Sequence, residues 1–253
     1  MHHRVVGIDC ATEDARIGIA LGWVTDGVLE IDRALLCNKE QSAARTIAGW
    51  LKEHPEPTLI AVDAPLGWPS ALSRDLQTHR AGAALPTQAN ELFRRETDRV
   101  VKRQVGKTPL DVGADRIART AHAALRLLSD LAVELEAPIP LVWEHTVMEA
   151  AGAIEVYPAA TLASHGIRAT GYKRPNQVEE RKEILRALAE IAQFPPDLSP
   201  FEASADALDA AVCLVAALDF LLGHAVPPED QQLAEQEGWI WVRPRESKKR
   251  RKV

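Results

Sequence analysis

Two short apolar runs of the sequence each end on an aspartate. The first runs from Arg4 to Asp9 and the second from Thr58 to Asp63. Apolar runs of this length, bounded by turn-forming residues, are typical of buried β-strands. An ionised carboxylate at the end of a buried strand is costly unless something pairs with it. We therefore expect the rest of the chain to supply a common partner for Asp9 and Asp63.

The residues between these runs predict two further strands and a helix. Residues 14–22 and 28–37 alternate as strands around a Thr25-Asp26-Gly27 hairpin turn, and the apolar spacing in 39–54 predicts a helix. Three strands joined by short turns form an antiparallel meander, and a strand that follows a helical crossover returns parallel to the first. This order is the opening of an RNase H-like mixed α/β sheet, so Asp9 and Asp63 are expected to be neighbours at one edge.

The remaining chain predicts a helical insertion and then more of the same sheet. We interpret residues 66–150 as the insertion after strand four, with helices at 88–104 and about 114–136. Further along, the pattern indicates a fifth strand at 153–158, helices at 177–193 and 204–223, and an edge strand at 238–242. We therefore expect one RNase H-like domain over residues 1–245, followed by a disordered basic tail at 246–253.

Composition limits where such a chain works and what it binds. The net charge of -6 gives no general attraction to nucleic acid, so a nucleic-acid role needs a local basic face. The three cysteines are far apart and lack CxxC spacing, which argues against a zinc site or disulfides and fits a reducing cytoplasm. No apolar run reaches the roughly 18 residues that span a bilayer. The first strand begins at once, which leaves no room for a signal peptide, and we expect a cytoplasmic protein without membrane association.

A pair of aspartates on a predicted helix adds to the acidic strand ends. Asp206 and Asp209 are three residues apart, so their side chains point the same way among alanines and large aliphatic residues. Two such charges repel, and a bound Mg²⁺ or Mn²⁺ would relieve the repulsion because these ions prefer oxygen ligands. The alternative is that one aspartate caps the helix and the other faces solvent.

The other carboxylates also have structural alternatives. Asp9 and Asp63 can each accept N–H bonds in the turn that follows, and Glu155, in an otherwise apolar strand, can pair with an arginine of the insertion. Taken as a set, these carboxylates predict a two-metal site that activates water for an in-line phosphoryl displacement. The predicted metal ligands are Asp9, Asp63, Asp206 and Asp209, and Glu155 would assist from the neighbouring strand.

Six short motifs together resemble a known family, the predicted RNase H-like nucleases called domain of unknown function 429. They run in order from Gly7 to Trp241 and cover nearly the whole chain: Gly7–Ala11, Ala61–Gly67, Arg95–Arg99, Glu155–Pro158, Asp206–Ala211 and Glu237–Trp241. The resemblance implies the fold and the use of divalent metal. It also implies that Asp9, Asp63, Glu155, Asp206 and Asp209 form the active site, but it does not indicate the substrate.

Basic residues in the insertion are candidates for substrate binding. Arg95, Asp98 and Arg99 have the spacing of a surface ion pair on a helix, which would contribute little. Alternatively, Arg95 or Arg99 leans over the site and holds a phosphate through its planar guanidinium, with Asp98 as its partner. Residues 93–126 hold nine basic and four acidic residues, a suitable footprint for a phosphodiester backbone or a solvated helix face.

The sequence therefore favours a metal-dependent nuclease or phosphodiesterase that acts on nucleic acid or nucleotides. An ATP-dependent phosphotransferase of the actin/sugar-kinase type is an alternative, because that fold also opens with a Gly-x-Asp strand and a hairpin. Such a kinase should repeat the unit with two glycine-rich loops, and this chain shows no repeat. A third class is an RNase H-like module that binds nucleic acid without catalysis. The basic tail Lys248 to Lys252 either grips nucleic acid or only aids solubility, and the sequence does not indicate an oligomeric state.

Overall fold

The described strands form one mixed sheet. The computed structural model describes residues 2–38, 40, 42–53, 56–113, 115–145 and 150–245. Across these residues the strand order is β5-β4-β1-β2-β3-β6. β1, β2 and β3 are antiparallel, whereas β4 is parallel to β1, β5 to β4 and β6 to β3. The strands are β1 (His2–Asp9), β2 (Gly18–Thr25), β3 (Val28–Leu36), β4 (Thr58–Asp63), β5 (Ala151–Glu155) and β6 (Ala192–Gln193). This RNase H-like topology confirms the fold predicted from the sequence.

The register of the two central parallel strands sets the position of the acidic residues. Asp9 is the direct partner of Asp63 at the carboxyl ends of β1 and β4. Glu155 ends β5 and pairs with Val62, one residue before Asp63. Three neighbouring parallel strands therefore deliver one carboxylate each to the same edge of the sheet.

Helices cover both faces of the sheet. α1 (Ala43–Glu53) connects β3 to β4 and packs with α5 (Asp115–Leu135) on one face. The other face carries α9 (Ala205–Leu221), which contacts β1, β2, β3 and β4 and is itself covered by α6 (Pro158–Ser164) and α8 (Ser199–Ala203). Because α9 lies between the sheet and other helices, it is apolar nearly all round rather than on one face.

Two glycines let α9 approach the sheet closely. A Cβ atom added at Gly7 would lie 2.0 Å from the backbone oxygen of Ala210, and one added at Gly18 would lie 2.1 Å from that of Asp206. No other residue fits at such distances without displacing the helix. Gly7 and Gly18 therefore allow the first turns of α9 to rest on β1 and β2, which brings Asp206 within electrostatic reach of Asp9.

The insertion between β4 and β5 contains α2 (Ser70–Leu76), α3 (Ala89–Phe93), α4 (Glu96–Val105) and α5. The predicted helix at 88–104 is in fact two helices, because Arg94 and Arg95 have extended backbones and Arg95 is the N-cap of α4. The Asp98 carboxylate accepts the Arg95 backbone N–H at 2.8 Å and so fixes this break.

Several other boundaries differ from the sequence predictions. The predicted strand at 14–22 starts with a 3₁₀ turn at Asp14–Arg16, so β2 begins later, at Gly18. The helix predicted at 177–193 ends earlier: α7 (Val178–Leu188) precedes the short β6. After α10 (Gln231–Glu237), the predicted edge strand at 238–242 is reduced to one bridge between Ile240 and Glu155.

Two further expectations concern the tail and membranes. The tail at 246–253 lies outside the described residues. Among the helices that the structure describes, none is both long and apolar enough to cross a membrane.

Candidate active site

Asp9 and Asp63 form a close carboxyl pair. Their side chains are hydrogen-bonded to each other. Burial raises the pKa of Asp9 well above its usual value, and the charges of Asp63 and Asp206 add to this effect, while Lys173 opposes it. Burial also raises the pKa of Asp63 to about 6, against the lowering effect of Lys173. The pair therefore has too little positive charge around it, which makes the position favourable for a cation.

Asp209 is bonded on both carboxylate oxygens. It is fully buried in α9, accepts the Tyr172 hydroxyl on Oδ1 at 2.8 Å, and accepts the Lys173 ammonium on Oδ2. Lys173 lies 5.4 Å from the centre of the Tyr172 ring, and its side chain is 56% exposed. The same ammonium also lowers the pKa values of Asp9 and Asp63, so its charge acts on three of the acidic residues.

Asp206 is the more open member of the helix pair. It is partly exposed, and its charge raises the pKa of Asp9, which places the two carboxylates within electrostatic reach. The helix cap is Ser204, whose hydroxyl oxygen accepts the Ala207 N–H at 3.2 Å. The alternative in which an aspartate of the pair caps α9 is therefore wrong.

Glu155 pairs with an arginine of the insertion, which is the structural alternative considered for it. Arg95 donates to the two Glu155 oxygens at 2.8 and 2.7 Å, and the Leu66 N–H donates to Oε2 at 2.9 Å. Arg95 also donates to Asp98 at 3.0 Å. Burial acts to lower the pKa of Arg95, but the two carboxylates outweigh it and raise the pKa overall.

The residues predicted to bind substrate have protein partners instead. Arg95 and Asp98 are 1% and 2% exposed, so they do not form the surface ion pair considered from the sequence. Arg95 also lines a cavity together with Asp9 and Asp63, and its contact with a substrate phosphate stays a prediction. Arg99 lies at the surface, where it pairs with Glu96 at 2.8 Å and donates to the Arg94 carbonyl at 3.1 Å. A phosphate-binding role for Arg99 would require it to leave Glu96.

The acidic edge of the sheet opens into a small cavity. Its volume is about 260 Å³, and Asp9, Asp63 and Glu155 are among the residues that line it. The insertion contributes Arg95, Leu110 and Ile117 to the same lining. The insertion thus forms a wall over the carboxylates rather than a separate body away from them.

Comparisons with known proteins agree with the family expected from the sequence motifs. The family described as "Protein of unknown function (DUF429)" matches residues 7–233. The chain belongs to this family. No curated protein sequence matches the DUF429 chain.

Two solved structures are distantly similar to this DUF429 protein. One is T. thermophilus RuvC in complex with a Holliday junction substrate, with 13% identity, a TM-score of 0.33, and coverage of 87% of this chain and 96% of that one. Another is an exopolyphosphatase-like protein, with 12% identity, a TM-score of 0.19, and coverage of 86% and 89%.

Sequence analysis of the DUF429 chain missed Tyr172 and Lys173. They lie between α6 and α7, in a segment without helical or strand periodicity, so no pattern marks them. The contact with Asp209 joins residues 36 positions apart and depends on how this segment packs against α9. A lysine next to an aromatic residue is too common to identify such a contact from sequence.

The raised pKa of Asp63 predicts how the stability of the metal-free protein depends on pH. The folded state keeps the Asp63 proton up to about pH 6, whereas an unfolded aspartate releases it near pH 4. The free energy of unfolding should therefore fall between about pH 4 and 6, by up to about 3 kcal/mol, and change little from this group above pH 6. Urea unfolding in EDTA would measure it. Asp63→Asn should make the slope shallower by the part that Asp63 contributes, while the part from Asp9, whose pKa burial also raises, remains. An unchanged slope in that variant would contradict the assignment.

Proposed function

We propose that this protein is a divalent-metal-dependent phosphodiester hydrolase that acts on nucleic acid or nucleotides. The observation that carries the proposal is the Asp9–Asp63 pair, held in direct register at the ends of two parallel strands. Asp206 is close enough for its charge to raise the pKa of Asp9. Carboxylates crowded in this way are the donor type that Mg²⁺ and Mn²⁺ prefer.

The residues fit such an ion, with fewer ligands than the sequence predicted. No group of three or more His, Cys, Asp or Glu side chains within the described ranges is arranged to hold a metal. Mg²⁺ commonly uses only one or two carboxylates and fills its shell with waters and substrate phosphate oxygens. Asp9 and Asp63 supply two carboxylates, and the nearby charge of Asp206 adds to the attraction for a cation. A second ion at Asp209 would require that carboxylate to give up Lys173, because both of its oxygens are bonded.

Each side chain then has a definite task. When bound, the ion would lower the pKa of a coordinated water and stabilise the charge that develops on the phosphoryl oxygens. Asp9 and Asp63 hold it at the end of the sheet. Lys173 and Tyr172 fix the Asp209 carboxylate, and Arg95 fixes Glu155, so both buried acids keep the shape of the site.

The test is metal-dependent hydrolysis of a small phosphodiester. Protein treated with EDTA should hydrolyse bis(p-nitrophenyl) phosphate only after Mn²⁺ is added back, and Asp63→Asn should be at least about 100-fold slower. Glu190→Gln, which removes an exposed charge at the end of α7, should match the wild type. Equal rates in Asp63→Asn and Glu190→Gln would refute the assignment.

The same experiment separates the alternative functions. Transfer of the ATP γ-phosphate without phosphodiester hydrolysis would favour the kinase alternative, although the described residues form a single sheet without the second half that such kinases need. Nucleic-acid binding without hydrolysis at any Mn²⁺ concentration would favour the non-catalytic module.

Lys173→Met should strengthen Mn²⁺ binding and weaken the metal-free fold. The substitution removes a positive charge from the acidic cluster and frees one oxygen of Asp209. We expect roughly tenfold tighter Mn²⁺ binding, equivalent to about 1.4 kcal/mol. The free energy of unfolding in EDTA should fall by about 1–3 kcal/mol because the buried Asp209 carboxylate loses a charged hydrogen-bond donor. Calorimetry and urea unfolding measure the two effects.

Lys173→Arg is the control for that prediction because it keeps the charge. It should bind Mn²⁺ nearly as the wild type does. If Lys173→Met binds Mn²⁺ no more tightly than Lys173→Arg, then Lys173 does not compete with the metal.

A further inference from the structure

The cavity above the carboxylates is small and has an apolar side. Its lining includes Leu110, Ile117 and Tyr157 in addition to the acidic residues. Leu110 is 67% exposed in the segment between α4 and α5, so its apolar side chain is available to a ligand in the cavity. A volume of about 260 Å³ lies just below the usual range for ligand pockets, about 300–1,000 Å³. The cavity therefore suits one small planar group beside the acidic edge.

A second, larger cleft adjoins this cavity along α5. Its volume is about 650 Å³, and Thr12, Arg119, His122 and Arg126 are among the residues that line it. The helix α5 contributes to the lining of both the cavity and the cleft. Ile117 lines the cavity, and Arg119, two residues later, lines the cleft. The segment that follows β1 also contributes to both: Cys10 lines the cavity, and Ala11 lines the cleft.

Arg119 and Arg126 are the notable charges of this cleft. Both are exposed, and neither has a hydrogen bond or an ion pair among the residues that the structure describes. Other arginines of the insertion do have carboxylate partners: Arg94 pairs with Asp111, and Arg99 and Arg103 pair with Glu96.

Spacing favours a chain of phosphates over a single anion. Arg119 and Arg126 are two helical turns apart, about 10 Å along α5, on the same face of the helix. Asp14 and Asp130 also line the cleft, so it is not a uniformly positive pocket. Two separated guanidinium groups suit successive phosphates of an extended backbone, each held by a planar fork.

We infer that the substrate is a single-stranded nucleic acid that lies along α5, with one unpaired nucleotide in the acidic cavity. The base of that nucleotide packs against Leu110 and Tyr157, its phosphodiester lies at Asp9 and Asp63, and the neighbouring phosphates contact Arg119 and Arg126. A volume of about 260 Å³ is of the order of one nucleotide, so we expect an unpaired base to enter the cavity more readily than a base pair. The inference rests on the proposed function and narrows its substrate class.

Binding without catalysis tests this. The probe is a fluorescent 12-residue oligothymidylate, compared with a duplex of the same length, in EDTA and across a salt series. The single strand should bind at least about tenfold more tightly than the duplex. The double variant Arg119→Gln/Arg126→Gln should bind it roughly tenfold more weakly. Its slope of log K against log salt should be less steep by about 1.4, which is about 0.7 for each lost phosphate contact.

Matched controls separate these contacts from general charge effects. Arg80→Gln/Arg186→Gln removes two exposed arginines outside the cleft and should leave the affinity and the slope unchanged. Leu110→Ala should weaken binding several-fold through lost base packing, while Leu76→Ala, at another exposed leucine of the insertion, should not.

The outcomes distinguish this inference from the proposed function. Duplex binding as tight as single-strand binding, or an unchanged salt slope in Arg119→Gln/Arg126→Gln, would overturn the inference even if bis(p-nitrophenyl) phosphate is hydrolysed. Single-strand binding that depends on these arginines would support it. If no phosphodiester were hydrolysed with Mn²⁺ in that case, the proposed function alone would fail.

Discussion

Arg95→Met is expected to lower the free energy of unfolding by about 3–5 kcal/mol. Arg95 is 1% exposed and lies between the buried carboxylates of Glu155 and Asp98, with donor–acceptor distances of 2.7–3.0 Å. Removal of the guanidinium would leave two negative charges buried close together. The residue also donates to the Glu237 carbonyl at 3.2 Å, so the loss would affect the insertion, β5 and the C-terminal segment together.

Arg99→Met is the matched control for this prediction. Arg99 is four residues away on the same helix, but its side chain is 39% exposed and its partner Glu96 is 35% exposed. Exposed pairs contribute about 0–1 kcal/mol. Urea unfolding should therefore separate the two variants clearly.

Arg95→Lys keeps the prediction testable if the Arg95→Met protein does not fold. It keeps the charge but loses the two-pronged contact with Glu155, and should lie between the wild type and Arg95→Met. A loss below 1 kcal/mol in Arg95→Met would show that Glu155 and Asp98 find other partners, and would contradict this account of the insertion.

The sheet could be predicted because its signals are local. Alternation along β1 and β4, the Asp26-Gly27 turn and the crossover rule together place Asp9 beside Asp63. The spacing of Asp206 and Asp209 likewise indicates one helix face. Each of these inferences needs only neighbouring residues and the chirality of the chain.

The charge balance of the site could not be predicted, because it depends on distant contacts. Arg95 lies in a run of charged residues that is typical of a helix surface, and only Glu155, 60 positions away, explains its burial. Lys173 lies outside any periodic segment and meets Asp209 through the packing of α9. The sequence therefore predicts five similar acids. Among the described residues, Arg95 and Lys173 form ion pairs with two of them, Glu155 and Asp209, whereas Asp9, Asp63 and Asp206 have no ion-pair partner.

Asp9→Asn tests whether Asp9 belongs to a metal site, because the substitution should raise the stability of the metal-free protein and lower its affinity for Mn²⁺. Asparagine keeps the shape of the side chain and removes a charge that burial and Asp63 both disfavour. The metal-free protein should therefore become more stable at pH 7, where a normal exposed aspartate substitution changes little. The affinity for Mn²⁺ should fall at least tenfold, or about 1.4 kcal/mol, and hydrolysis should fall with it.

The opposite signs separate a metal site from an ordinary turn residue. If Asp9 only accepted N–H bonds after β1, Asp9→Asn would leave Mn²⁺ binding unchanged and would not stabilise the protein. Asp115→Asn, at an exposed aspartate at the start of α5, is the control and should alter neither quantity. Calorimetric titration with Mn²⁺ and urea unfolding in EDTA, made on the same samples, decide between the two. If Asp9 and Asp63 repel each other in the absence of a bound cation, then the Asp9→Asn variant should be more stable than the wild type in EDTA. The same variant should bind Mn²⁺ more weakly than the wild type.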